Sequence, residues 1–141
     1  MKERTLCIIK PDAVEQNVAG NIIAMIQKAG FRILAMKMLR LSPAQAGAFY
    51  EVHKERPFYG DLIDYMTSGP IIPIALEKEN AVEDYRKLIG STNPADADEG
   101  TVRKLYGTSI ERNAVHGSDS PENGVLEVNF FFSRAELVGN E

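Results

Sequence analysis

The chain has 141 residues, 44% of them hydrophobic and 26% charged, with a net charge of −4. Length and balance describe one globular domain with its own core, and the acidic surplus excludes the broad basic face that nucleic-acid binding needs. One cysteine excludes an internal disulfide, two separated histidines offer no zinc spacing, and no apolar run approaches the ~20 residues that span a bilayer. Residues Met1 to Thr5 pass straight into a strand pattern and lack signal-peptide features, so the expected compartment is the cytoplasm.

Thr5 to Ile9 is a near-continuous apolar run, the pattern of a central strand buried on both faces. It contains Cys7, which reads as an inert buried thiol. Lys10-Pro11-Asp12 stops the strand, because proline has no amide proton and aspartate favours turns. Val18, Ile22, Met25, Ile26 and Ala29 then recur at helical spacing, and Gly30 stands where a C-terminal cap belongs. Phe31 to Arg40 reads as a second strand. Ser42 and Pro43 open a helix as N-cap and first helical residue, with Ala46, Phe49, Tyr50 and His53 on its faces. Glu55-Arg56-Pro57-Phe58 breaks it, and a short helix from about Asp61 to Met66 runs into Ser68-Gly69-Pro70. Ile71 to Leu76 is the third strand, where Pro73 predicts a bulge or an unpaired amide.

Asn80 to Leu88 is helical and ends at Gly90. Ser91 to Arg112 is irregular; a loop of this length is functional or disordered, and Arg103, Lys104 and Tyr106 within it favour function. Asn113 to Val115 forms a short strand that delivers His116. Ser120-Pro121-Glu122 starts a last helix that runs to about Phe131, weakened by Gly124. Ser133 to Glu141 is polar and expected to be loosely held. With no repeats or linkers, the order predicts a single domain over residues 1–141. Its class is α+β, a ferredoxin-like split βαβ fold with a four-stranded antiparallel sheet covered by helices.

The segment Asn113-Ala114-Val115-His116-Gly117-Ser118-Asp119-Ser120 carries the chemistry. Imidazole is a competent nucleophile at neutral pH, and a histidine between a strand and a Gly-Ser turn can hold a fixed ring orientation. Glycine-rich phosphate loops are absent, so any phosphate must be held by side chains. Lys10, Arg56, Arg86 and Arg103 are the candidates, the guanidinium fork matching two oxygens at once. Taken singly, the arginines read as solvated surface charges; Lys10, directly after a buried strand, does not. Tyr50 reads as a core aromatic. Phe58, after a proline in a helix-breaking segment, puts a ring at the rim where it can stack on a planar ligand. Thr92 and Asn113 bracket the long loop with small groups suited to phosphate or ribose. Spacing alone leaves Glu127 an exposed helix residue; a helix folded back beside its strand would bring it to Ser118 and His116.

The runs Thr5 to Ala13, His53 to Phe58, Met66 to Pro70, Gly90 to Pro94, Gly100 to Arg103 and Asn113 to Ser120 together resemble nucleoside diphosphate kinase, from about residue 3 to residue 132. The resemblance implies phosphoryl exchange between nucleotides by a ping-pong route with low base specificity. His116 would be phosphorylated on Nδ1, with Ser118 and Glu127 fixing its ring and Tyr50 beside it. Lys10 would meet the transferring phosphate and a ribose hydroxyl, and Asn113 the ribose. Arg86, Thr92 and Arg103 would hold phosphates, and Phe58 would stack on the base. Mg²⁺ would arrive on the phosphates of ATP or another nucleoside triphosphate, with no protein metal cage. A homo-oligomer, tetramer or hexamer, is implied. The competing class is a regulatory module that binds nucleotide without turnover. Pro73, Gly124, Leu126 and the run Lys104-Leu105-Tyr106 depart from the family pattern; none is a matched functional residue.

Overall fold

The computed structural model describes residues 2–139. Four strands, β1 (Lys2–Ile9), β2 (Arg32–Met36), β3 (Ile72–Glu79) and β4 (Val115–His116), form one sheet in the order β2-β3-β1-β4. Every pairing is antiparallel. Its helices are α1 (Pro11–Glu15), α2 (Ala19–Lys28), α3 (Pro43–Phe49), α4 (Tyr59–Met66), α5 (Ala81–Ile89), α6 (Val102–Tyr106) and α7 (Pro121–Phe131). This is the expected ferredoxin-like α+β arrangement.

Alternation along the central strand divides the core in two. Cys7 and Ile9 pack with Ile22 and Ile26 of α2 and with Tyr85 and Ile89 of α5. Leu6 and Ile8 point the other way, to Ala46 of α3, Met66 of α4 and Val128 and Phe131 of α7. Both sheet faces are therefore covered, as the unbroken apolar run of β1 requires. Cys7 is fully enclosed, and burial pushes its thiol up to about 12, so it stays protonated.

Of the two expected effects of Pro73, a bulge or a missing ladder bond, only the second occurs at that residue. It sits in regular register opposite Ile8. On its other side it accepts a bond from the Lys37 amide at 3.3 Å, and two residues on, Leu39 and Ile71 exchange both ladder bonds, at 3.0 and 2.8 Å. Lys37 and Pro73 thus make a hydrogen-bonded pair with one arm missing, since proline has no amide proton to return. The cost falls on β2, which stops at Met36 instead of running to Arg40 and resumes only as the Leu39–Ile71 bridge. The bulge lies elsewhere, between Ile33 and Ala35. Leu34, at that irregularity, gives its carbonyl to the Val138 amide at 3.1 Å.

That bond belongs to the C-terminal segment, whose polarity suggested a loose tail. As far as Gly139 the segment is held down. Ser133 and Glu136 form a capping box around a 3₁₀ turn, Leu137 is buried, and Lys37 pairs with Glu136 at 3.3 Å. Residues 140 and 141 lie outside the described residues.

The irregular stretch 91–112 contains a helix of its own, α6, capped by the Thr101 hydroxyl on the Lys104 amide. Gly124 also has a different meaning from the one helix propensity assigns. A methyl group there would come within 2.1 Å of the Arg4 carbonyl oxygen. The glycine lets α7 lie directly on the backbone of β1. Among the described residues no helix is long and apolar enough to cross a membrane.

Candidate active site

β4 is two residues long, and its register with β1 places His116 opposite Ile8. Continued two residues further, the register would set Ser118 against Leu6. The chain has already turned there, and the Ser118 hydroxyl takes over, accepting the Leu6 amide at 3.0 Å. The turn is possible because residue 117 is glycine: a Cβ would meet the Tyr85 ring at 2.9 Å. Ser118 is fully buried, and its Oγ donates to Glu127 Oε1 at 2.7 Å. The same carboxylate oxygen lies 2.7 Å from His116 Nε2. Close approach of α7 to β1 brings Glu127 there, which spacing alone could not establish. The imidazole is thus held through Nε2, leaving Nδ1 as its unengaged nitrogen.

The ring that packs against His116 is that of Phe49, edge-on at 5.6 Å. Tyr50 stands behind it, 4.9 Å from Phe49 and 8% exposed. Burial, and then the Glu127 charge, raise its phenol well above the usual tyrosine range. Sequence reading singled out Tyr50 and passed over Phe49, although both lie at the end of the α3 pattern.

Lys10 caps α1, and its Nζ donates to Asn113 Oδ1 at 2.9 Å. Asn113 is 3% exposed and donates from Nδ2 to the Thr92 carbonyl at 3.0 Å. Burial, then the neighbouring Arg103 charge, push the Lys10 amine down to about 8. Arg103 is 8% exposed, far from the solvated surface charge it resembled in isolation. It donates to the carbonyls of Gly90 at 3.0 Å and Val115 at 2.9 Å, and its Nε has no partner. Its own guanidinium is depressed by burial and opposed by Arg86, which is exposed in the last turn of α5. Lys10, Arg103 and Arg86 thus repel one another through Arg103, and an anion set among them relieves that repulsion.

These residues line three adjoining hollows. Arg86, Thr92 and Arg103 line one. Lys10, Phe58, Thr92 and Asn113 line the next, about 490 Å³ and within the range of small-ligand sites. His116 and Glu127 line the third together with Phe49. Thr92 joins the first to the second, His53 the second to the third, and Asp119 the third to the first. Phe58 precedes α4, 48% exposed and 5.6 Å from His53. The ten residues to which the resemblance gives roles gather at one end of the sheet, although His116 and Lys10 open onto different hollows; Arg56, the other candidate cation, is exposed and lines none of the three.

An imidazole clamped by a carboxylate, beside mutually repelling cations on a ferredoxin-like sheet, gives an α+β domain whose site suits an anionic ligand. The family model for nucleoside diphosphate kinase matches residues 3–137. The curated nucleoside diphosphate kinase of Geobacter sp. (strain M21) is 60% identical over 136 residues, spanning 96% of this chain and 99% of its own. That of Nitratidesulfovibrio vulgaris (strain DP4) is 55% identical over 139 residues, 99% of this chain and 100% of its own. Among solved structures, the Aquifex aeolicus enzyme superposes with a TM-score of 0.96 at 43% identity, covering 98% of this chain and 100% of that one. The Halobacterium salinarum enzyme, in complex with CDP, gives 0.93 at 33% identity over 98% and 92%. The chain belongs to the nucleoside diphosphate kinase family, a family of nucleotide phosphotransferases, and its activity is that of the family.

Proposed function

We propose that this chain exchanges γ-phosphoryl groups by a ping-pong route through a phosphohistidine on His116 Nδ1. The observation that supports this most directly is the clamp on the other nitrogen: Glu127 Oε1 takes Nε2 at 2.7 Å and is itself fixed by Ser118. A carboxylate there keeps the proton on Nε2 and the lone pair on Nδ1. In the first half-reaction that lone pair attacks the γ-phosphorus. The Nδ1–P bond forms, the bond to the β,γ-bridging oxygen breaks, and the nucleoside diphosphate leaves with that electron pair. In the second, a terminal oxygen of another diphosphate attacks the phosphohistidine and returns the pair to Nδ1. Positive charge develops on the ring in the first step, and Glu127 offsets it.

Arg86, Arg103 and Thr92 hold the nucleotide phosphates, while Lys10 meets the transferring group and a ribose hydroxyl that Asn113 shares. Tyr50 backs the ring from behind Phe49. Phe58 stacks on the base without reading its edge, which suits an enzyme that accepts many bases. These cations call for an anion, and among the described residues no group of three or more His, Cys, Asp or Glu side chains gathers to hold a metal. Arg86, Arg103 and Thr92 would hold the phosphates on which Mg²⁺ is carried in, and the ion would supply further positive charge to offset the transferring group.

We place the protein in the cytoplasm as a single domain that assembles into a homo-oligomer, tetramer or hexamer. Exposed Met36 and Met38, at the end of edge strand β2, supply apolar surface for assembly; sedimentation reads the number of copies. The central test is labelling with γ-labelled ATP and Mg²⁺. The expected product is an acid-labile, alkali-stable phosphoprotein that H116A does not form. Wild-type protein that binds nucleotide yet stays unlabelled would instead identify a non-catalytic binding module.

A further inference from the structure

The backbone that presents His116 contains a strained residue. Ala114 has φ +74°, and the Val115 amide donates to the Asn113 carbonyl at 2.9 Å, closing a γ-turn around it. A non-glycine residue in this region is held only by surroundings that over-determine it. Each carbonyl from Asn113 to His116 has a partner. The Ala114 carbonyl accepts the Lys10 amide at 2.9 Å, the Val115 carbonyl accepts Arg103, and the His116 carbonyl accepts the Tyr85 hydroxyl at 3.2 Å. The Ala114 amide, on the strained residue itself, donates to the Asp12 side chain, with Oδ2 at 3.1 Å.

We propose that Asp12 and Tyr65 are positioning residues for the phosphotransfer, clamping the γ-turn at Ala114 that aims His116; this rests on the histidine route above. Asp12 is 7% exposed and lies in the first turn of α1. Its second oxygen accepts the Tyr65 hydroxyl. Tyr65 sits in α4, directly after the segment that carries Phe58, and lines the same hollow as Phe58, Lys10 and Asn113. Arg112 lies over its ring, 5.4 Å from the centroid. Burial, reinforced by the bond to Asp12, keeps the phenol protonated and donating. The carboxylate thus accepts two donors, one from the helix beside the nucleotide hollow and one from the turn before the nucleophile. Neither residue need touch the reacting atoms, so the pair acts on ring placement.

The test is single-turnover labelling by γ-labelled ATP, with nucleotide affinity measured in parallel. Wild-type labelling comes first, since its absence would sink the histidine route and not this clamp alone. In a labelling wild type, D12A is expected to slow phosphohistidine formation about 10- to 100-fold, the scale of a misplacement of roughly 1 Å, with nucleotide Kd within about threefold. The double variant D12A/A114G is expected to regain most of that loss, because glycine takes φ +74° without strain. D12N, whose carbonyl oxygen can still accept the Ala114 amide, should also label well above D12A. A D12A protein that folds and labels at the wild-type rate overturns the proposal, and so does a loss that A114G leaves untouched. Should D12A fail to fold, Y65F carries the test. It keeps the ring and removes only the hydroxyl, and slower labelling at unchanged affinity supports the clamp, whereas an unchanged rate overturns it.

Discussion

Helix propensity and packing make opposite predictions for Gly124→Ala. Replacing an interior helix glycine by alanine stabilises by about 1 kcal/mol when nothing opposes it. Here the new methyl group would lie 2.1 Å from the Arg4 carbonyl oxygen. An ordinary C···O contact needs about 3.3 Å, so α7 must lift from β1 by roughly 1 Å. The obstacle is backbone in a central strand and cannot swing aside. Overpacking of this kind costs about 1–3 kcal/mol, occasionally more, and the lift also breaks bonds. The His116–Glu127 and Ser118–Glu127 contacts, both 2.7 Å, would stretch past hydrogen-bond reach. We expect a net loss of about 1–3 kcal/mol, read as a melting point lower by about 3–10 °C for a domain of this size. Phosphotransfer should fall about 10- to 100-fold with the ring's support displaced. Gly20 in α2 is the internal control: a Cβ there meets nothing within 4 Å, and G20A should stabilise by about 0.4–1 kcal/mol. A G124A protein that melts at or above the wild-type temperature and transfers phosphate at the wild-type rate would refute the packing argument.

Lys10 sets a pH dependence. Its folded pKa of about 8 lies below the unfolded value of about 10.4, so the unfolded chain binds more protons between these values and stability rises with pH across that window. K10M should abolish the rise in a pH series of denaturant melts, and wild-type kcat/KM should decline as pH climbs through about 8. For Arg103→Lys, the shorter side chain loses the planar fork that reaches the Gly90 and Val115 carbonyls from two separate nitrogens; we expect a loss of about 2–4 kcal/mol in urea unfolding alongside weaker nucleotide binding. A stability within about 0.5 kcal/mol of wild type would contradict a structural role for the two Arg103–carbonyl bonds. Phe58→Ala removes a half-exposed ring and should change stability by under about 1 kcal/mol, while raising KM for several nucleotides alike by about 3- to 10-fold. A rise confined to one base would mean that its edge, not its face, is read.

The fold was legible in the sequence wherever burial followed one rule. The two-sided apolar run of β1, the Ser42–Pro43 start with its capping box, and the Ser120–Pro121 start of α7 are local signals, and each stands where expected. What escaped was non-local. Pro73 shortens the neighbouring strand and not its own, because its missing proton faces β2. Gly124 is a defect by propensity and a fit by contact. The C-terminal segment is polar in composition yet seated by Leu137 and by a carbonyl that the β2 bulge left unpaired. At the site, motif residues were visible because their chemistry is unusual in place: Lys10 after a buried strand, His116 before Gly-Ser. Phe49, Asp12 and Tyr65 carry no such mark; the first looks like core and the other two like ordinary turn and helix residues. Their roles depend on which elements meet, and no spacing encodes that.

The bonds that run from the Leu6 amide through the Ser118 hydroxyl to Glu127 and His116 start in the middle of the sheet. Ring posture is therefore inherited from the most deeply embedded strand and does not wait for a ligand. An imidazole moored in this way arrives at each encounter already poised, and turnover need spend no time assembling it.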